Sequence, residues 1–103
     1  MKKITILLTA VGLAGSLIGC SKTDNYTPAA TASGEEIFSQ NCTKCHKPNT
    51  DGSVIVLSPA AANKEAIIKK VQMGSMSMTA FPNITGEPAD RLAEYVLANS
   101  RAK

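Results

Sequence analysis

Apolar positions in this chain form one unbroken block near the N-terminus and, further on, three stripes with helical spacing. Ile4 to Gly19 runs without a charge, directly behind Lys2 and Lys3. Lys22 to Ser33 is polar, rich in small residues and aperiodic, which predicts a flexible linker. Helical order begins at Ser33-Gly34-Glu35-Glu36, a capping-box pattern. Ser33 can cap the helix, Glu36 can return a bond to the Ser33 backbone N–H, and Ile37 and Phe38 supply an apolar side. This helix is expected to run into Asn41-Cys42. Asn63 can cap a second helix over 64–73, with Ile67, Ile68 and Val71 on one stripe and Gly74 as its stop. Thr85 or Glu87 opens a last helix to about Ser100, with Ala89, Leu92, Tyr95 and Val96 as its buried stripe. Between these elements, residues 47–52 and 74–84 read as loops by turn chemistry. Val54 to Leu57 is apolar and β-branched but has no obvious strand partner, so an extended segment ended by Ser58-Pro59 is expected. The pattern is that of a small all-α domain over 34–103.

The N-terminal block is an address rather than part of that domain. At about 1.5 Å per residue its 16 residues span ~24 Å, short of the ~30 Å hydrocarbon core. It also holds Gly12, Gly15 and Gly19, so residues 1–19 read as a signal peptide and not as a membrane-spanning helix. The block ends in Leu17-Ile18-Gly19-Cys20, which resembles the bacterial lipobox. That resemblance implies a diacylated Cys20 as the mature N-terminus, with residues 20–33 forming a lipidated end and tether. It places the domain in a bacterial cell envelope, lipid-anchored and facing the periplasm or the cell exterior. It also accounts for an odd cysteine count, which an exported protein seldom leaves unexplained.

The other two cysteines carry the chemistry. Cys42-Thr43-Lys44-Cys45-His46 is the attachment pattern for a c-type haem. Each thiol can add to one vinyl group, and the following histidine then lies under the iron. A haem also solves a packing problem. A chain that is 44% apolar and 4% aromatic has little to bury, and domains of this size commonly depend on a disulfide, metal or cofactor. The net charge of +3 falls to +1 without Lys2 and Lys3, so no field suited to nucleic acid exists.

Residues 34–103 resemble the small class I cytochrome c family. The match lies in Gly34-Glu35-Glu36-Ile37-Phe38, in the Cys42 to His46 motif, and in Leu92-Ala93-Glu94-Tyr95-Val96 of the last helix. The resemblance implies three to four helices around one covalently bound haem c, with Gly34 and Phe38 meeting Leu92 and Tyr95 where the first and last helices cross. Val54 to Leu57 would then line the haem. His46 would be the proximal iron ligand, its second ring nitrogen held by a backbone carbonyl, with Pro59 the better candidate and Pro48 a poor one. Met78-Thr79-Ala80-Phe81-Pro82 resembles the family's ligand loop, which implies Met78 as distal ligand and Met76 as second choice. Met73, at a helix end, reads as a gap-filler of the core. The family often has proline where Thr79 stands. Lys44, Lys47, Lys64, Lys69 and Lys70 are either a docking rim at the haem edge or an ordinary solvated face.

Ligands on both sides of an iron leave no open position, so a monomeric one-electron carrier between redox proteins is expected, not an enzyme. The alternative within the same chemistry is a haem-bearing subunit or partner of an oxidase, reductase or peroxidase. A dithiol enzyme leaves His46 unexplained and lacks the strand–helix context it needs. A zinc site lacks a fourth ligand unless Cys20 supplies it.

Overall fold

The computed structural model describes residues 22–103, so Cys20 and the apolar N-terminal block lie outside the described residues. Three helices form where the stripes predict them. Helix α1 is Gly34–Asn41, α2 is Lys64–Met73 and α3 is Gly86–Asn99. Ser33 has extended backbone, and its hydroxyl oxygen accepts from the Glu36 N–H at 3.0 Å; the reciprocal bond expected from the Glu36 side chain is not made. Asn63 caps α2 by accepting from the Ala66 N–H at 2.8 Å. Gly74 ends α2 at φ 66°, a left-handed conformation that glycine adopts without a Cβ penalty. No helix of the described residues is long and apolar enough to cross a membrane.

Helices α1 and α3 pack closely because Gly34 presents no side chain. A Cβ there would collide with the Arg91 carbonyl oxygen and lie 2.7 Å from Tyr95 Cβ. Phe38 meets Tyr95 with ring centroids 5.5 Å apart and planes tilted by 49°, within the range of favourable aromatic pairs. Ile37, Ile84 and Leu92 are the most completely buried large side chains. The buried stripe of α3 is Ala89, Leu92, Ala93 and Val96; Tyr95 is only half-buried at its edge.

Two expectations are corrected. The first concerns Val54 to Leu57, which does find a partner. Val56–Leu57 (β1) pairs in parallel with Arg101–Ala102 (β2), flanked by bonds from Val54 N–H to Asn99 O (2.9 Å) and from Lys103 N–H to Leu57 O (2.8 Å). A salt bridge from Arg101 Nε to Asp51 Oδ2, 2.9 Å long, closes the outside of this pairing. Sequence patterning missed it because β2 is two residues long and has no periodicity to read. The second concerns residues 22–33, which lie against the domain and do not hang free. Ala32 is buried, Tyr26 packs on the core, and its hydroxyl donates to Gln40 Oε1 at 3.2 Å. Arg91 on α3 donates to the carbonyls of Ala30 and Ala32. Thr23 bridges in parallel to Ala80, with Asp24 N–H donating to Ala80 O and Ala80 N–H donating to Lys22 O, both at 2.8 Å. A composition of small polar residues predicts freedom only where nothing offers the backbone partners, and here Arg91, Asn83 and Ala80 do.

Candidate cofactor site

The end of α1 continues directly into one wall of a cavity. The Cys42 N–H donates to Phe38 O at 2.8 Å, and the N–H groups of Cys45 and His46 both turn back to Cys42 O, at 3.2 and 2.8 Å. One tight turn therefore sets both sulfurs and the imidazole against the same space. Cys42 is buried and Cys45 exposed, and both are free thiols. Burial, and secondarily the charge of Cys45, push the Cys42 thiol up to about 11, so it stays protonated at neutral pH. Burial lowers the His46 pKa, which favours the neutral imidazole with a nitrogen lone pair to donate. The Phe38 ring stands 6.4 Å from the His46 ring, centroid to centroid.

The opposite wall comes from the loop between α2 and α3. Ser75 and Met78 bridge each other, Ser75 N–H to Met78 O at 2.9 Å and Met78 N–H to Ser75 O at 3.2 Å. Phe81 N–H donates to Val71 O at 2.7 Å, tying the loop to α2. Gly74 permits the fold of this turn, since a Cβ there would lie 2.6 Å from the Met78 carbonyl oxygen. Of the three methionines in this region only Met78 lines the cavity, and it packs on the core. Met76 is 75% exposed and lines nothing. Met73 is 66% exposed, so it is not the core gap-filler that its position suggests; the last turn of α2 carries it outward.

Between the walls is a cavity of about 790 Å³ lined by Cys42, Cys45, His46 and Met78, and by apolar side chains including Ile55, Leu57, Ile67, Val71, Phe81 and Val96. This volume suits a large prosthetic group. The chemistry of the lining fits a haem: apolar walls for the porphyrin faces, two thiols for the vinyl groups, an imidazole and a thioether for the metal. Ile55 and Leu57 line the space as expected for the extended segment. Pro59 does not reach His46: its carbonyl accepts from the Ala62 N–H at 3.4 Å, and the proline simply opens a 3₁₀ turn over Pro59–Ala61. Among the described residues no hydrogen bond holds the imidazole.

The lysines differ in their surroundings. Lys44 and Lys70 line the cavity, Lys64 pairs with Glu94 at 3.2 Å, and Lys47 turns back to the carbonyl of Lys44 at 3.2 Å. Among the lining residues that escaped sequence reasoning are Lys22 and Asp24 from the docked N-terminal segment. The available signal was Tyr26, an aromatic in a stretch otherwise made of small and polar residues.

Residues 29–96 match the family model described as cytochrome c oxidase, cbb3-type, subunit III. Cytochrome c6 of Cyanidioschyzon merolae is 33% identical over 81 residues, which cover 71% of this chain and 78% of that protein. No solved structure matches the chain. A covalently bound c-type haem is the cofactor these likenesses carry, and electron transfer with redox protein partners is the role. With three α-helices among the described residues, the Cys42 to His46 turn and a large apolar cavity beside it, the chain belongs to the cytochrome c family as a small monohaem class I member.

Proposed function

We propose that the protein is a monomeric, membrane-tethered one-electron carrier of the bacterial envelope, with haem c on Cys42 and Cys45, His46 and Met78 as axial ligands, and Cys20 lipidated. The observation that carries this reading is the convergence of Cys42, Cys45, His46 and Met78 on one apolar cavity from two separate walls, while Met76 points away. When bound, haem supplies an iron centre that exchanges single electrons. The chain supplies the rest. Cys42 and Cys45 fix the group by thioether bonds, the neutral His46 offers its nitrogen lone pair, and Met78 offers a soft, uncharged sulfur that favours the ferrous state and raises the potential. The apolar walls add to this, because an extra positive charge is poorly solvated among them.

The purified holoprotein tests the ligand set directly. Met78→Ala should abolish the weak red-end absorption band of sulfur-ligated ferric haem and lower the potential, while Met76→Ala should leave both unchanged. The reverse result overturns the assignment. For the tether, the wild type should enter the detergent phase of a two-phase extraction and Cys20→Ser the aqueous phase; equal partitioning removes the lipid anchor.

A second reading, in which the same domain serves as a haem subunit of an oxidase, is favoured by the description of the matching family model. Pull-down from native membranes separates the two. A stoichiometric oxidase complex supports the subunit, and a free haemoprotein supports the carrier.

A further inference from the structure

The described segment from Lys22 onward touches both walls of the cavity, and two backbone–backbone bonds tie it to a single residue of the methionine loop. Ala80 stands two positions after Met78 and is 9% exposed. Its N–H donates to Lys22 O and its carbonyl accepts from Asp24 N–H, each at 2.8 Å. Both polar backbone groups of Ala80 are thus satisfied by the N-terminal segment. Without that segment a buried N–H and a buried C=O would lack protein partners where water is largely excluded, and the loop would have to open to hydrate them. Asn83 Nδ2 adds a bond to Asn25 O at 3.1 Å, three residues further along the loop. The far end of the segment is fixed to the opposite wall, by Tyr26 to Gln40 on α1 and by Arg91 on α3 to the carbonyls of Ala30 and Ala32. The segment is a strap fastened at two ends, and one fastening is the backbone beside Met78.

The geometry points to residues 22–26 as a positioning clamp for the Met78 loop: the segment that sequence reads as a tether sets how tightly the distal sulfur is held over the cavity. This rests on Met78 being the distal ligand. The clamp touches neither iron nor sulfur. It acts through the Ala80 backbone by disfavouring loop conformations in which Met78 has swung away. Any ligand that must displace Met78 competes against the clamp as well as against the sulfur–iron bond.

Added imidazole is such a competitor, and its binding to the ferric holoprotein is read by absorbance. Asp24→Pro deletes the N–H that donates to Ala80 and should raise the apparent imidazole affinity about tenfold, the order of effect of freeing one buried hydrogen-bonding group. Asp24→Ala loses the same carboxylate, and with it the bond from Tyr26 N–H, but keeps the N–H that donates to Ala80, so its effect should be several-fold smaller than that of Asp24→Pro. Tyr26→Ala releases the strap at its far end, outside the cavity, and should raise the affinity several-fold while the potential shifts downward. It also serves if Asp24→Pro does not fold. Met78→Ala in the same titration separates the two ideas. If Met78→Ala binds imidazole no better than wild type, the ligand assignment fails and the clamp falls with it. If Met78→Ala binds far better but neither Asp24→Pro nor Tyr26→Ala does, the ligand stands and the clamp is overturned.

Discussion

The two walls of the cavity are built in opposite ways. The His46 wall is local. One helix end and one tight turn, contiguous from Gly34 to His46, place two thiols and an imidazole with bonds that span no more than four residues. The Met78 wall is assembled from distant parts: α2 through Phe81 and Val71, its own turn through Ser75, and the N-terminal strap through Ala80. A local wall is specified by spacing and tolerates damage elsewhere. A composite wall depends on several remote contacts at once and gives way wherever one of them is lost.

Perturbations of both walls together should have the largest effect. Leu92 on α3 is 1% exposed and belongs to the core shared by both sides, so Leu92→Ala should cost about 3 kcal/mol in denaturant unfolding of the holoprotein. Gly34→Ala forces a methyl group into the Arg91 carbonyl where α1 crosses α3 and should cost about 2 kcal/mol in the same measurement.

Helix caps distinguish the walls at smaller amplitude. Ser33→Ala on the His46 side and Asn63→Ala on the Met78 side should each cost about 1 kcal/mol. Their spectroscopic consequences should differ. Loosening α2 loosens the Val71 carbonyl that holds Phe81, so Asn63→Ala should weaken the sulfur band on mild heating, whereas Ser33→Ala should leave it intact. Equal behaviour of the band in the two variants would erase the distinction drawn between the walls.

The smallest effect is electrostatic. Hydrogen bonds from Ser53, and then the nearby Arg101, hold Asp51 below its ordinary value of 3.8. A depressed carboxyl stabilises the fold at pH above that ordinary value, and the contribution is lost as pH falls through the lower folded value. The small stability difference between wild type and Asp51→Asn should therefore be present at neutral pH and close in strong acid. A difference that grows on acidification has the wrong sign for this linkage.

Legibility followed the same division. The Cys42 to His46 turn and the caps at Ser33 and Asn63 are contiguous features visible in the order of residues, whereas the close approach at Gly34 was implied only by the family resemblance. The preference for Met78 over Met76 came through the resemblance of its loop; in the structure Met78 lines the cavity and Met76 is in solvent. The features that stayed hidden are pairings between remote short segments. Nothing local marks Lys22 and Asp24 as partners of Ala80, or Arg101 and Ala102 as partners of Val56 and Leu57. Such pairs consist of backbone bonds, which any residue except proline can make. The carbonyl expected from Pro59 was misplaced for a related reason: a proline can be found in a sequence, but the direction of its carbonyl is set by the turn that follows.

The pairing of Val56–Leu57 with Arg101–Ala102 has a bearing on timing. One side of the cavity cannot close until the chain has been made as far as Ala102, because the partner of the Ile55 to Leu57 stretch does not exist before then. Closing a loop of that length is also slow compared with forming the local turn at Cys42. The attachment turn can therefore form before the Ile55 to Leu57 side of the cavity is paired. That interval leaves an open approach through which a flat, bulky group can reach the thiol that the finished fold buries.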